Sequence, residues 1–283
     1  MTVNTLNQAE RDELIKHVSL SLEEDRGEKD LTVQLISPEQ QAKAQIITRE
    51  YAVICGQAWV NEVFQRCDPG VKLNWQVNEG ELVNENQSIL NVEGNARALL
   101  TAERTALNYL QTLSAVASKT HQYVEAIKGY HCAIVDTRKT IPGLRLAQKY
   151  AVRVGGGQNH RLGLYDAFLI KENHILAAGS IRAAFEIAKT LAQGSQWIEV
   201  EVETLDELEE ALAAGVEMIL LDNMSIESIM QAVSLAQGQA ILEISGGVNL
   251  ENVRTYAATG VQRISIGTLT KDIKAIDFSM RIK

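Results

Sequence analysis

The sequence is poor in the residues that mark disordered or disulfide-stabilised proteins. Its 283 residues include only three prolines and three cysteines, and aromatic residues make up 5% of the chain. So few prolines, with no low-complexity tract, argue against a disordered protein or a long linker. Cys55, Cys67 and Cys132 have no metal-type spacing. Because Cys55 and Cys132 lie in apolar runs, we expect buried free thiols and a reducing compartment.

The sequence also lacks an excess of positive charge and long apolar runs. Its formal net charge of −9 argues against nucleic acid or an anionic membrane as a partner. The amino terminus does not resemble a signal peptide, and no apolar run is long enough to span a bilayer. We therefore expect a cytoplasmic protein. A hydrophobic content of 46% allows a core large enough for a β/α barrel and a smaller domain.

The amino-terminal part predicts an α+β sandwich. Residues 7–24 and 57–67 have the spacing of amphipathic helices, whereas residues 42–55 and 71–92 have the pattern of short strands. The second strand-rich stretch superficially resembles biotinyl or lipoyl carrier domains. Such domains need an exposed lysine at the tip of a turn for attachment, and these turns offer none. A structural sandwich is therefore the better interpretation.

A long helical stretch follows over residues 96–128, and we expect a break in it near Ser114 or Ser118. Arg104 lies within this stretch, away from any predicted strand end. Taken alone, it has the pattern of a helix-surface arginine that pairs with a neighbouring carboxylate.

Beyond this helix, short apolar runs alternate with amphipathic helical stretches. Such alternation predicts βα units around a parallel sheet, and this many units indicate a closed or nearly closed TIM-like β/α barrel. The predicted strands are 132–135, 167–170, 197–202, 218–221, 241–244 and 263–266. We expect an N-terminal α+β sandwich domain over residues 1–115 and a catalytic barrel over residues 116–274. A tail, residues 275–283, is expected to return to the first domain.

Five groups that can carry positive charge follow the first two predicted strands: Arg138, Lys139, His160, Arg161 and Lys171. In this fold, functional groups lie at the carboxyl ends of the strands. Any one of these side chains alone could equally be a solvated loop residue. All five together in an acidic protein indicate a pocket for a small, multiply anionic ligand.

Glycines and carboxylates follow the later strands. Ser245, Gly246 and Gly247, then Gly267 and Thr268, suit a phosphate site, because glycines let backbone N–H groups approach an anion closely. The alternative is ordinary turn chemistry.

Glu199, Glu201 and Glu203 alternate along one strand and share a face, which must point into the barrel or toward its mouth. Buried carboxylates need partners, and Lys139, Lys171 or Mg²⁺ could serve. Asp222 ends the next strand and is expected to converge with Glu201 on a divalent ion or on sugar hydroxyls.

Several long motifs resemble the quinolinate phosphoribosyltransferase family, also called carboxylating nicotinate-nucleotide pyrophosphorylase. These motifs are DTRKTIPGLR (136–145), GGGQNHRLGL (155–164), FLIKENH (168–174), ERTALN (103–108), EVEVE (199–203), LLDNM (220–224), LEISGGV (242–248) and ISIGTLT (264–270). These motifs lie between residues 103 and 270, and the resemblance extends over nearly the whole chain. The resemblance implies a glycosyltransferase of de novo NAD biosynthesis. Such an enzyme joins quinolinate to phosphoribosyl pyrophosphate with decarboxylation, releasing pyrophosphate and CO₂ and giving nicotinate mononucleotide.

The resemblance also implies roles for individual residues. The five cationic groups would contact the quinolinate carboxylates and the pyrophosphate, and the glycine sites would hold the 5-phosphate. Lys139, Lys171, Glu201 and Asp222 would be catalytic, with Glu201 and Asp222 binding ribose hydroxyls and Mg²⁺. The substrate-binding residues that it marks are Arg104, Thr137, Arg138, Lys139, His160, Arg161, Lys171, Glu201, Asp222, Ser245, Gly246, Gly247, Ile266, Gly267, Thr268 and Lys271.

Two positions carry further expectations from the resemblance. In the family, the arginine of ERTALN comes from the neighbouring subunit, so a homodimer with Arg104 acting across the interface is expected. After ISIGTLT the family often carries a histidine, whereas this chain has Lys271. Lysine keeps a cationic donor, but it transfers protons less readily near neutral pH.

Two other functions are compatible with the same residues. Nicotinate phosphoribosyltransferase uses a monocarboxylate on a related barrel, and the number of cations favours the dicarboxylate instead. A non-catalytic barrel that binds an anionic metabolite is the second alternative. Glu201 and Asp222 beside the glycine sites argue against it.

Overall fold

The computed structural model describes residues 5–194 and 196–283. Contacts divide the chain into two compact units. The first unit holds the chain up to His121 together with Pro142–Gly156 and Asp272–Lys283, and the second holds Gln122–Ile141 and Gly157–Lys271. The sequence predicted residues 1–115 with a returning tail, 275–283, for the first domain and residues 116–274 for the second; it did not assign Pro142–Gly156 to the first unit. Residues 1–4 of that prediction lie outside the described residues. In the described part of the chain, no helix is both long and apolar enough to cross a membrane.

The first unit is built on a four-stranded antiparallel sheet with the order β12-β1-β5-β3. Its strands are β1 (Gln41–Thr48), β3 (Lys72–Trp75), β5 (Ser88–Asn95) and β12 (Phe278–Ile282), and β2 (Ala52–Val53) pairs with β4 (Leu82–Val83). Alternate residues of β1 are buried, as expected for a sheet with one covered face. The last strand, β12, pairs antiparallel with β1, so the carboxyl-terminal tail completes this sheet.

The helices of the first unit are α1 (Gln8–Arg26), α2 (Gln57–Cys67), α3 (Ala96–Ala126, which continues into the second unit) and α4 (Arg145–Val154), with a 3₁₀ turn at Thr32–Leu35. The first and second helices match the predicted stretches closely. Trp59, Val63 and Phe64 of α2 are fully buried, and Trp59 and Phe64 are the largest of the fully buried side chains. Gly155 ends α4 against α3, since a Cβ there would lie 2.4 Å from the Ala117 carbonyl oxygen.

The expected break in the long helix is wrong, because α3 runs without interruption. The Ser114 hydroxyl accepts from the Cys55 N–H at 3.0 Å and lies 3.1 Å from the Cys55 carbonyl, to which it donates. The Ser118 hydroxyl accepts from the Val53 N–H at 2.8 Å. These serines satisfy backbone groups of β2 and of the segment just after it, so they serve tertiary structure and leave the helix intact.

The second unit is a six-stranded parallel sheet with the order β6-β11-β10-β9-β8-β7. Its strands are β6 (Ala133–Val135), β7 (Phe168–Ile170), β8 (Ile198–Val202), β9 (Met218–Asp222), β10 (Ile241–Ser245) and β11 (Arg263–Ser265). Each lies within one residue of its predicted bounds at either end, so the predicted α/β class is confirmed. The ladder has six strands, whereas a complete TIM barrel has eight.

Helices connect these strands: α5 (Glu172–Ala178), α6 (Ile181–Leu191), α7 (Leu205–Ala214), α8 (Ile226–Ala236), α9 (Val253–Ala257) and α10 (Thr268–Lys271). Beside the edge strand β6, Gln158 forms an isolated parallel bridge to Val135. Its N–H donates to the Ile134 carbonyl at 2.8 Å, and its carbonyl accepts from the Asp136 N–H at 3.1 Å. This short extended segment places the residues that follow it at the carboxyl end of the sheet.

Candidate active site

The carboxyl ends of the parallel strands surround a cavity of about 230 Å³, which we call the cationic cavity. All five predicted cationic side chains line it, although they come from three separate segments of the chain. The lining residues are Thr137, Arg138, Lys139, His160, Arg161, Leu169, Lys171, Glu201, Leu220, Glu243, Ser245 and Ser265. The structure thus brings together the groups that the sequence predicted would meet.

A second cavity of about 270 Å³ shares Thr137, Lys139, Ser245 and Ser265 with the first, and we call it the glycine-lined cavity. Its other lining residues are Gly246, Gly247, Val248, Ile266, Gly267, Thr268 and Lys271. Gly246 has a φ of +102°, and a Cβ there would lie 2.1 Å from Asn223 Oδ1. Only glycine fits this turn, which leaves backbone rather than side chains facing the cavity.

The buried carboxylate of Asp136 fixes the loop that delivers His160 and Arg161. Asp136 lies at the end of β6 and is fully buried. One of its oxygens accepts from the His160 N–H at 2.9 Å, and the other accepts from Asn159 Nδ2 at 2.6 Å. The loop is closed further on by Asp166, whose oxygens accept from the N–H groups of Leu162 at 2.6 Å and Gly163 at 2.9 Å. Arg161 is therefore held between two carboxylate-bonded turns.

Lys139 lies over the end of β11, in the wall that both cavities share. Its N–H donates to Thr137 Oγ1 at 3.0 Å, and its carbonyl accepts from Thr270 Oγ1 at 2.8 Å. Its aliphatic stem crosses Gly267 so closely that a Cβ there would lie 2.8 Å from Lys139 Cδ. The absence of a side chain at Gly267 is what allows Lys139 to take this position.

The three predicted glutamates of β8 have different surroundings. Glu201 pairs with Lys171, with Oε2 and Nζ 2.5 Å apart. Glu199 is fully buried, and its Oε2 lies 2.8 Å from His160 Nε2. Glu203 lies just past the strand and is exposed, and its N–H donates to Glu207 Oε2 at 2.7 Å. Two of the three therefore lie on the cavity side of the sheet, while Glu203 belongs to the cap of α7.

Burial changes the pKa values around the cationic cavity. Burial raises the pKa of Glu199 to about 7, although Arg263 and Arg161 favour its ionised form. Burial, with repulsion from Glu199, also raises the pKa of Glu243 to about 7. The pKa of Arg161 is lowered, first by burial and then by repulsion from Arg138. The cavity wall therefore holds charges that water screens only weakly.

A cluster of His160, Glu199 and Glu243 has its potential ligand atoms within 4.8 Å of one another. This donor set could bind a metal ion. Within the described residues, however, the three groups already bond to one another or to Arg263, whose Nε lies 2.7 Å from Glu243 Oε2. The geometry is that of a buried hydrogen-bonded network.

Two family models cover most of the chain. Residues 30–114 match the N-terminal domain of quinolinate phosphoribosyl transferase, and residues 116–281 match its C-terminal domain. The chain belongs to the quinolinate phosphoribosyltransferase family.

Individual relatives agree with the family models. A protein of Bacillus subtilis strain 168, named a probable carboxylating nicotinate-nucleotide pyrophosphorylase, is 40% identical over 277 residues, which are 98% of this chain and 95% of that protein. A Synechocystis protein of the same name is 41% identical and covers 92% of this chain and 90% of its own length. The solved structure of the nicotinate-nucleotide pyrophosphorylase from Francisella tularensis is 45% identical, with a TM-score of 0.95, and the match covers 100% of this chain and 99% of that one.

Two residues predicted for the site lie outside both cavities. Asp222 ends β9, and its Oδ2 accepts from Asn223 Nδ2 at 2.7 Å, but it is not among the lining residues of either cavity. Arg104 is exposed on α3 in the first unit, whereas both cavities are built wholly from the second unit. Their roles in binding stay predictions.

The sequence interpretation missed two polar residues of the cationic cavity, Glu243 and Ser265. Each lies two positions before a residue that was predicted, namely Ser245 and Gly267. Because alternate residues of a strand share one face, this spacing was the signal that could have identified them.

Proposed function

We propose that this chain transfers the phosphoribosyl group from phosphoribosyl pyrophosphate to quinolinate with decarboxylation, giving nicotinate mononucleotide, pyrophosphate and CO₂ in de novo NAD biosynthesis. The observation that carries the proposal is the pair of adjoining cavities that share Lys139. The cationic cavity is lined by positively charged side chains, and the glycine-lined cavity is lined largely by backbone. The names of the relatives support the same reaction.

Quinolinate is placed in the cationic cavity. Its two carboxylates match Arg138 and Arg161, because planar guanidinium groups bind carboxylates through two parallel hydrogen bonds. When the 2-carboxylate leaves as CO₂, negative charge develops on a ring carbon, and fixed cations nearby stabilise it. Lys171 lines the same cavity and adds to this stabilisation.

The 5-phosphate of the ribose is placed in the glycine-lined cavity, against Gly246, Gly247 and Gly267. Backbone N–H groups can approach a phosphate there without side chains in the way. Lys139 lies in the wall between the two cavities, where it can stabilise the negative charge of the departing pyrophosphate. Lys271 also lines the glycine-lined cavity and adds a phosphate contact.

Glu201 is proposed to stabilise the positive charge that develops at the anomeric carbon and to bind ribose hydroxyls. It lies at the carboxyl end of β8 and lines the cationic cavity, only slightly exposed. Its pairing with Lys171 fixes the orientation of its carboxylate.

Mg²⁺ is proposed as the cofactor, with Glu201 and Asp222 as the residues that would hold it through water or through the substrate. Carboxylate oxygens suit this ion, which usually keeps several waters and binds substrate phosphates. When bound, it would neutralise charge on the pyrophosphate. Because Glu201 already pairs with Lys171, most of its ligands would come from the substrate and water.

The test is to supply quinolinate labelled at its 2-carboxylate, phosphoribosyl pyrophosphate and Mg²⁺, and to measure released CO₂ together with nicotinate mononucleotide. Both products are expected at equal rates, with nicotinate a poor substrate because a monoacid leaves cations unpaired. Lys139→Met should lose activity, whereas Lys274→Met, at a side chain that is 89% exposed, should not. Comparable use of nicotinate would instead favour a nicotinate phosphoribosyltransferase. Tight quinolinate binding without turnover would mean a binding protein.

We also infer a homodimer in which Arg104 of one subunit serves the site of the other. Arg104 is an exposed cation outside the unit that builds both cavities, so a second copy offers it a route to a site. Arg104→Ala and Lys171→Ala should each be inactive alone. Refolding the two variants together should restore activity, since each mixed dimer then has one intact site. If mixed dimers form and stay inactive, Arg104 acts within its own subunit.

A further inference from the structure

The imidazole of His160 is held at both of its ring nitrogens by the protein. Its Nδ1 accepts a hydrogen bond from the Arg161 N–H at 2.8 Å. A nitrogen that accepts cannot carry a proton, so the proton of the neutral ring lies on Nε2. The Nε2–H then donates to Glu199 Oε2, which lies 2.8 Å away. His160 is thus a neutral residue within a cavity whose other basic side chains are cations.

Fully buried groups surround this ring on the side of Glu199. Glu199 and Glu243 both have an exposed fraction of 0%, and His160 is 7% exposed. Glu243 Oε1 lies 3.6 Å from His160 Nε2, and its other oxygen pairs with Arg263 Nε at 2.7 Å. The edge of the ring packs against Trp197 with centroids 5.1 Å apart. The imidazole therefore has little freedom to rotate or to exchange its two nitrogens.

Burying two carboxylates side by side costs free energy, and an apolar pair would be cheaper for the fold. A stable fold alone does not require two carboxylates on β8 and β10, the strands on either side of β9. Both lie close to His160 in the cavity wall, with Glu199 Oε2 2.8 Å and Glu243 Oε1 3.6 Å from its Nε2.

We propose that Glu199 and Glu243 are positioning residues that act through His160. They hold its ring as the Nε2–H tautomer. The unprotonated Nδ1 then accepts a hydrogen bond from the Arg161 N–H, which orients the Arg161 guanidinium toward the dicarboxylate ligand. The identity of that ligand rests on the proposed function. The backbone side of the same turn is fixed independently by Asp136, which accepts from the His160 N–H.

The proposal gives His160 a different role from the cationic groups around it. Its imidazole neither adds a charge nor needs to meet the substrate, since its ring nitrogens serve Arg161 and Glu199. The network acts on the ligand through Arg161. The Arg161 N–H bonds to His160, and the Arg161 guanidinium lines the cationic cavity.

The tautomer can be measured without any substrate. The chain has five histidines, so selective labelling of histidine ring nitrogens with ¹⁵N gives few signals, and His160→Asn assigns the signal of interest. We expect one protonated nitrogen coupled as Nε2 and one unprotonated nitrogen coupled as Nδ1. A doubly protonated ring, or a proton on Nδ1, would overturn the proposal whatever reaction the protein catalyses.

The effect on the ligand is measured by calorimetric titration with quinolinate. Glu199→Leu should weaken binding about tenfold, because it leaves a buried donor of His160 without its acceptor. Glu199→Gln keeps an oxygen that can accept and should recover most of this loss. Glu203→Gln, four residues further along the chain at an exposed position, is the matched control and should bind as wild type does.

A double-mutant cycle separates positioning from general damage. In an Arg161→Gln background, Glu199→Leu should change quinolinate affinity less than about twofold, since the group on which it acts is gone. The same tenfold loss in both backgrounds would refute the proposal, and so would no loss in either. If the wild type does not bind quinolinate at all, the proposed function is wrong, and the tautomer measurement still decides the arrangement of the network.

Discussion

Replacing Gly267 with alanine tests whether Lys139 must lie where the structure places it. A Cβ at this position would lie 2.8 Å from Lys139 Cδ and 3.7 Å from Lys139 Cβ. Carbon atoms in contact prefer about 3.5–4.0 Å, so the lysine stem must move by roughly 1 Å. The backbone at Gly267 does not have a positive φ, and alanine is therefore unstrained there.

The expected effects of Gly267→Ala on stability and on rate follow from the displacement of the Lys139 side chain. A lysine stem is flexible, so the fold should lose less than about 1 kcal/mol of its unfolding free energy. Misplacing a charged group by about 1 Å can cost about 100-fold in rate, and we expect kcat/KM for phosphoribosyl pyrophosphate to fall about 10- to 100-fold. Affinity for quinolinate should change little, because Arg138 and Arg161 stay in place.

The assay compares kcat/KM for each substrate at saturation of the other, alongside Tm. Gly246→Ala is the contrasting variant: its φ is +102° and its Cβ would meet Asn223 Oδ1 at 2.1 Å, so it should lower Tm clearly. In a Lys139→Ala background, Gly267→Ala should have almost no further kinetic effect. A persistent loss there, or wild-type kinetics for Gly267→Ala alone, would refute the reasoning.

Three further predictions concern buried polar groups and the carboxylates. The Glu243→Gln variant should become more stable relative to wild type as pH rises, because burial raises the pKa of Glu243 from 4.5 to about 7. Tm measurements of both proteins at pH 5 and pH 8 check this. Glu201→Gln and Asp222→Asn should lower turnover and weaken its Mg²⁺ dependence, while calorimetry shows quinolinate binding largely unchanged. Ser114→Ala should lower the unfolding free energy by about 1–3 kcal/mol, because the buried Cys55 N–H loses its acceptor, which a denaturant titration measures.

The sign of the pH effect follows from proton linkage. The folded protein binds the Glu243 proton more tightly than the unfolded chain does, so the unfolding free energy of the wild type falls between about pH 4.5 and 7. Glutamine has no such ionisation. The stability of the variant relative to wild type should therefore rise by up to about 3 kcal/mol across this window. An equal Tm difference at both pH values would contradict the burial of an ionisable carboxyl.

The parallel sheet was predictable because its signals are local. Each strand of the second unit is a short apolar run between polar stretches, and alternation of such runs with helical spacing allows few topologies. The convergence of Arg138, Lys139, Arg161 and Lys171 followed from the same logic, since the carboxyl ends of parallel strands meet. Contacts between segments that are far apart in the sequence leave no such local pattern. Ser114 resembles a helix breaker until Cys55 is placed beside it.

The state of His160 also lay beyond the sequence. Among arginines and lysines, a histidine is naturally counted as one more cation. The Arg161 N–H, which points at Nδ1, is the observation from which we infer a neutral ring. Glu243 differs in this respect, because it lies two positions before Ser245 on the same face of β10, and that spacing could have identified it as a wall residue.

The buried carboxylates also account for how so many cations can share one small cavity. Four permanent cations around about 230 Å³ repel one another, and the lowered pKa of Arg161 reflects part of this repulsion. Glu201 pairs with Lys171, which offsets one of these charges before any ligand arrives. A dianion supplies the remaining compensation, whereas a monoanion leaves a desolvated cation unpaired at a cost of several kcal/mol. Selectivity for a dicarboxylate would then come mainly from the charge left unpaired by the wrong ligand.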